Sequence, residues 1–150
     1  MAYDACMISR SLDQTRKIAR EALKDLAPNK DGATIVALSG ELGSGKTTFA
    51  KAFAEALGLN PEDVTSPTFV IEKRFDLGNH AHFKKFVHID AYRLEKAEEI
   101  ERLGWKDTIR DKANLVLIEW PENIGRALPQ HSKRISFSFI DENSREIVFN

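Results

Sequence analysis

The chain predicts an α/β protein whose sheet mixes parallel and antiparallel strands. Three observations carry that expectation. The run "ATIVALSG" (33–40) is short and nearly all apolar, and a glycine-rich turn and a helix follow it. A strand buried on both faces and feeding a crossover helix reads this way. The stretches "TFVIEKRFD" and "FKKFVHIDAYR" are joined by the short loop "LGNHAH", which predicts a hairpin and so an antiparallel pair. Near the end, "RISFSFI" alternates, and "DENS" turns into "REIVFN", a second hairpin.

The remaining elements follow in order. Residues about 6–10 read as a short edge strand. Ser11 then stands as the N-cap of a helix over "LDQTRKIAREALKDL", with Leu12, Ile18, Ala22, Leu23 and Leu26 on its apolar face. Pro28 ends it and "NKDG" turns. A helix from about Lys46 to Leu57 places Phe49, Ala50, Phe53, Ala54 and Leu57 on one side, with Gly58 as its stop. Asn60-Pro61-Glu62-Asp63 reads as a capped single turn. "EKAEEIERLG" is a short helix closed by Gly104, "NLVLIEW" a buried strand, and "PENIGRAL" a short helix opening on proline.

With 150 residues, 42% hydrophobic and 30% charged, one domain over 1–150 with a sizeable core is expected. A net charge of −1 gives no global attraction to nucleic acid, so any RNA contact is local or made by a partner. Cys6 is the only cysteine and excludes an internal disulfide; a cytoplasmic protein fits. The N-terminus lacks a signal-peptide pattern, and no run approaches the ~20 apolar residues of a membrane helix.

The chemistry begins at Gly40-Glu41-Leu42-Gly43-Ser44-Gly45-Lys46-Thr47, which fits G-x-x-x-x-G-K-[ST] at every fixed position. A polyphosphate needs several backbone N–H groups converging on one centre. Glycines reach the tight, often left-handed dihedrals this requires. The helix opening near Lys46 turns its positive end toward the phosphates. Lys46 bridges the β- and γ-phosphates, and the Thr47 hydroxyl sits on Mg²⁺. Glu41, Leu42, Gly43, Ser44, Gly45, Lys46, Thr47 and Thr48 are the nucleotide-binding candidates. Chance produces the pattern in roughly one chain in two hundred of this length, and its setting between a strand and a helix lowers that further. Asn29-Lys30-Asp31 precedes the loop, at the wrong place for a guanine-reading motif, so ATP is the expected nucleotide.

Mg²⁺ bound to phosphates also wants a carboxylate from a neighbouring strand end. Asp90 follows "FVHI" and Glu119 follows "LVLI". One holds the metal and the other orients the attacking water, an assignment the residues leave open. His88 reads as a packed strand histidine. Arg93 pairs with Glu119 or reaches phosphate. His80 and His82 lack the company of a metal site.

Four motifs in order, "GELGSGKTTFAKAFAEALG", "VTSPTFVI", "HIDAYRL" and "LVLIEWPE", resemble the TsaE (YjeE) family over roughly Ser11 to Glu122. The resemblance implies a P-loop NTPase-like three-layer sandwich and Mg²⁺-dependent ATP hydrolysis. It implies a part in threonylcarbamoylation of the adenosine beside the anticodon in tRNAs reading ANN codons. The implied partners are TsaB and TsaD, with tRNA reached indirectly through the complex. By resemblance Thr47 and Asp90 look like the metal-side pair, Glu119 a Walker-B-type carboxylate, and Lys46, Asp90 and Glu119 the catalytic set. Thr65, Ser66, Pro67 and Thr68 resemble a switch-like segment near the γ-phosphate, and Trp120 follows Glu119 as in the family. Trp105 matches no family position.

Turnover by the chain alone is expected to be slow, since no dedicated arginine finger stands out and such a residue is worth ~10³–10⁵ in rate. Two other readings compete. In one, ATP orders the Thr65–Thr68 segment to close an interface and hydrolysis is secondary. In the other, the phosphate loop belongs to a small-molecule kinase, although no arginine-bearing lid stands out.

Overall fold

The computed structural model describes residues 5–64 and 71–150. Seven strands run β1 (Cys6–Ser9), β2 (Thr34–Gly40), β3 (Glu72–Asp76), β4 (Lys85–Asp90), β5 (Asn114–Glu119), β6 (Lys133–Phe139) and β7 (Arg145–Phe149). Among the described residues four α-helices, α1 (Leu12–Lys24), α2 (Lys46–Ala56), α3 (Glu98–Glu101) and α4 (Trp105–Arg110), lie between them. The strand order is β1-β7-β6-β2-β5-β4-β3. β4 and β5 pair in parallel, while β3–β4, β6–β7 and β1–β7 are antiparallel. The mixed α/β class and both hairpins are as predicted.

Contacts divide the chain into two compact units. The first holds Met1–Leu26, Leu38–Thr65 and Lys133–Asn150. In it Ser11 caps α1, its hydroxyl accepting the Gln14 N–H at 3.1 Å. Thr15, Ile18, Ala19 and Ala22 recur at helical spacing and are buried, and α1 packs on α2. On α2, Phe49, Phe53 and Ala54 are fully buried, and the Phe49 ring stands 5.3 Å from that of Phe137 on β6. Burying each phenylalanine contributes about 2–3 kcal/mol. A buried hydrogen bond of 2.7 Å between the Ser9 and Thr15 hydroxyls ties β1 to α1. Asn60 caps the single 3₁₀ turn Pro61–Val64 through the Glu62 N–H, at 3.1 Å.

The second unit holds Ala27–Ala37 and Ser66–Ser132. Its core gathers Ile35, Val87, Ile89, Val116, Ile118, Ile124 and Trp105. Every residue of β5 is buried, as a strand covered on both faces requires. Trp105 is 1% exposed, and its indole N–H donates to the Ala127 carbonyl at 2.8 Å. Its unassigned role is thereby a core one.

Three local expectations change. Gly104 does not merely stop a helix: in the left-handed conformation (φ 75°) it also opens α4. Six residues are too few to show a hydrophobic period, so α4 escapes a sequence reading. "PENIGRAL" forms a 3₁₀ segment, Pro121–Ala127, broken at Gly125 (φ 48°, ψ −118°), rather than a regular helix. α1 ends at Lys24, short of Leu26, where the Leu26 N–H turns from the α pattern to the Leu23 carbonyl at 3.1 Å.

Candidate functional site

In the first unit, β2 runs into the turn 41–45 and then α2. The Ser44 N–H closes on the Glu41 carbonyl at 3.1 Å. Gly43 (φ 78°) and Gly45 (φ 107°) occupy the left-handed region, where a side chain costs about 1–2 kcal/mol. The sequence therefore needs glycine at these two positions for conformational reasons alone.

Lys46 is 5% exposed, and its ammonium donates to the Gly40 carbonyl and, at 2.9 Å, to the Glu41 carbonyl. The cation is thus folded onto the turn that precedes it. Thr47 is exposed in the first turn of α2 and Thr48 half-buried; Glu41 and Leu42 project outward, Leu42 74% exposed. The Ser44 hydroxyl is buried and has no hydrogen-bond partner among the described residues. An orphaned hydroxyl beside a buried ammonium, at a helix start with no side-chain cap, fits an anion that brings its own oxygens. All eight predicted loop residues fall on this one turn and the helix start after it.

The second unit carries the two strand-end carboxyl groups. In the parallel β4–β5 register Asp90 stands opposite Glu119. His88 is two residues before Asp90, so His88, Asp90 and Glu119 share one face. Asp90 is half-buried, and its Oδ1 accepts the Tyr92 N–H at 3.0 Å. Glu119 is 1% exposed, with Oε2 at 2.7 Å from His88 Nε2. His88 is therefore packed in its strand, as expected, and it also engages the candidate carboxyl group. Arg93 is exposed and forms no ion pair among the described residues, so one of its two expected roles, pairing with Glu119, is not the one it plays.

Trp120 has φ 60° and ψ 51°, the only non-glycine residue with positive φ among the described residues. Such backbone costs of order 1–3 kcal/mol and persists only where its surroundings impose it. Pro121 disfavours the right-handed helical alternative at Trp120. The indole packs on the core and lies 5.1 Å from the Tyr92 ring, while the Ala91 N–H donates to the Glu119 carbonyl at 3.0 Å. The chain thus bends sharply just after Glu119, and its new course is fixed. No sequence pattern announced the His88–Glu119 contact or this strain.

Thr65, Ser66, Pro67 and Thr68, read as switch-like, lie outside the described residues. His80 accepts the N–H groups of His82 and Phe83 and stacks on the Phe83 ring. Among the described residues no three His, Cys, Asp or Glu side chains cluster as a metal cage. Mg²⁺ asks for less: one or two carboxylates, with waters and phosphate oxygens completing its shell. Asp90 and Glu119, with the hydroxyl of Thr47, are oxygen donors of the kind that ion takes. No described helix is long and apolar enough to cross a membrane.

Comparison with known proteins places the chain in a family. The family described as "Threonylcarbamoyl adenosine biosynthesis protein TsaE" matches residues 9–147. The tRNA threonylcarbamoyladenosine biosynthesis protein TsaE of Bacillus subtilis is 35% identical over 137 residues, 91% of this chain and 79% of that protein. The protein of the same name from Borreliella burgdorferi is 37% identical over 76% of this chain and 78% of its own length. That from Rickettsia felis is 32% identical over 93% and 75%. The crystal structure of Bacillus subtilis YdiB superposes with a TM-score of 0.72 at 28% identity, covering 99% of this chain and 86% of that one. The fold is that of a P-loop NTPase, and the chain belongs to the TsaE family of tRNA threonylcarbamoyladenosine biosynthesis proteins.

Proposed function

We propose that the whole chain acts as one Mg²⁺-dependent ATPase domain, a cytoplasmic subunit that works with TsaB and TsaD while they modify tRNA. The observation that carries this is the turn 41–45, with its two left-handed glycines, orphaned Ser44 hydroxyl and inward-folded Lys46, in a chain of the TsaE family.

The residues divide the work by their chemistry. Backbone N–H groups at the start of α2 and the Ser44 hydroxyl receive phosphate oxygens. Lys46 leaves the Gly40 and Glu41 carbonyls and carries its charge to the β- and γ-phosphates. Mg²⁺, when bound, supplies charge neutralisation on those phosphates. Thr47 and Asp90 would supply its side-chain ligands. Glu119, buried and oriented by His88, holds the attacking water in line and accepts a hydrogen bond from it. The rate gain is electrostatic and positional, because phosphoryl transfer leaves the protein little covalent chemistry to perform.

The test is release of free phosphate from Mg-ATP, measured with and without TsaB and TsaD. Slow turnover alone and a clear rise with the partners are expected; equal turnover would count against the partnership. Absence of any calorimetric heat with ADP or ATP, with partners and magnesium supplied, removes the nucleotide reading altogether. Phosphate passing to a metabolite instead of to water would favour the kinase reading of the same loop. Full tRNA modification by a Glu119→Gln variant would make hydrolysis secondary to a nucleotide-gated contact.

A further inference from the structure

The second unit carries a polar pocket that the nucleotide reading leaves unused. Lys85 opens β4 and Asn114 opens β5, and the two are register partners. Asp90 and Glu119 close the same two strands, roughly 16 Å away at ~3.3 Å per residue. At the Lys85 end, Arg74, Lys85, Asp107, Thr108, Asp111 and Asn114 line a cavity of about 350 Å³, room for a small polar molecule. The turn from α4 into β5 is fixed: Asp111 Oδ1 accepts the Ala113 N–H at 2.9 Å, and its carbonyl accepts the Asn114 N–H at 3.0 Å.

The polar groups of this pocket do not satisfy one another. Asn114 is 3% exposed, and its Nδ2 donates to the Thr108 carbonyl at 3.0 Å, which sets the way the amide points. Its Oδ1 is buried and has no hydrogen-bond partner among the described residues. A buried acceptor left unpaired is unfavourable, so a donor brought from outside is welcome there. Thr108 cannot supply it, because its hydroxyl donates to the Gly104 carbonyl at 3.2 Å and accepts from Arg74. Arg74 is itself engaged, with Glu72 at 3.3 Å. Asp107 and Lys85 are exposed, and neither forms an ion pair among the described residues. An acid and a base that line one pocket without joining leave room for a ligand carrying both signs.

We infer that this pocket binds a free α-amino acid. The ligand's ammonium has three N–H donors for acceptors such as Asn114 Oδ1 and the Asp107 carboxylate, and its carboxylate pairs with the Lys85 ammonium. A ligand with positive charge alone would face Lys85 and Arg74 unrelieved. One with negative charge alone would face Asp107 and Asp111. Only a zwitterion turns both sets of charges to advantage. The pocket lies at the opposite strand ends from Asp90 and Glu119, and its ligand does not depend on nucleotide being bound.

The test titrates the full chain, nitrogen-labelled and free of nucleotide, with L-alanine and with two molecules that each lack one of its charges, ethylammonium and propionate, at fixed ionic strength. NMR follows the Asn114 side-chain amide and the backbone N–H groups of residues 107–114. With L-alanine these should shift and saturate with a midpoint of about 1 mM, the scale of a small ligand held by a few polar contacts. Ethylammonium and propionate should each bind at least about tenfold more weakly, as loss of a charge-assisted contact predicts. Asn114 is left intact, since altering it would also remove its bond to Thr108. Asp107→Asn and Lys85→Gln change exposed side chains, and with folding checked by thermal melt each should weaken L-alanine about fivefold or more. Should one of them not fold, the other and the two singly charged molecules still decide. No saturating shift with L-alanine overturns the inference and leaves the Asn114 oxygen to water. Ethylammonium or propionate binding as well as L-alanine overturns the zwitterion assignment, and L-alanine affinity unchanged in both folded variants overturns the site.

Discussion

The turn 41–45 and the ends of β4 and β5 reach chemical competence by opposite routes. The turn is made of backbone: its specificity lies in two left-handed glycines and in carbonyls that hold Lys46 in place. The strand ends are made of side chains: Glu119 is buried against His88, and the strained Trp120 backbone turns the chain away behind it. A backbone site is written in a short contiguous string. A side-chain site is assembled from residues distant in sequence, here His88 and Glu119. The first tolerates few substitutions at its glycines; the second depends on partners that packing alone provides.

Substitutions should separate the two regions. The largest effect is expected for Lys46→Ala, which removes the loop's main cation. Affinity for ADP and ATP should fall more than a hundredfold by calorimetry, because the cation proposed to reach the phosphates is lost. Glu119→Gln should behave in the reverse manner, keeping ATP affinity within a few-fold of wild type while phosphate release falls at least tenfold, as loss of a group that positions the nucleophile predicts. Parallel losses of binding in both variants would erase the division of labour drawn here.

Next in size is His88→Leu. It leaves a buried carboxyl group without its 2.7 Å partner, and breaking such a pair costs about 3 kcal/mol. Urea unfolding should show the loss. An unchanged midpoint would mean that the histidine is incidental to Glu119. Gly45→Ala follows, at about 1–2 kcal/mol from the left-handed backbone, with the Arg145 side chain displaced as well. Its melt should drop by a few degrees, and nucleotide affinity should fall beyond what the stability loss explains.

How much of this was legible beforehand follows from the same contrast. Gly43, Gly45, Lys46 and Thr47 could be read directly, since the loop's chemistry and its sequence are collinear. β2, β5 and both hairpins were legible because long apolar or alternating runs have a period. Asp90 and Glu119 were found by their place after apolar strands, a rule about sheet ends. The contact of His88 with Glu119 was not legible, because it depends on the parallel register of β4 and β5, in which Asp90 faces Glu119. The approach of the Arg145 side chain to Gly45 was missed for a related reason: the two residues stand a hundred positions apart in the chain. α4 was missed because six residues around one buried tryptophan carry no measurable period.

The smallest effect sharpens the comparison at the hairpin that brings Arg145 beside Gly45. The Asn143 N–H holds the Asp141 carboxyl below its ordinary range, with smaller help from Ser144 and from the charge of Arg10. A carboxyl whose pKa is lower folded than unfolded stabilises the fold above its unfolded value, ~3.9, and loses that contribution as pH falls through the folded value. Asp141→Asn keeps an oxygen acceptor for the Asn143 N–H but removes the charge. Wild type should therefore exceed Asp141→Asn in stability by a constant margin at neutral pH, and the margin should close on titrating below about pH 4. Urea midpoints of the two proteins at pH 7 and pH 3 measure it, and an identical margin at both would show that the turn owes nothing to ionised Asp141. Because the turn is solvent-exposed, moderate salt should shrink the Arg10 share of the margin and leave the Asn143 hydrogen bond in place.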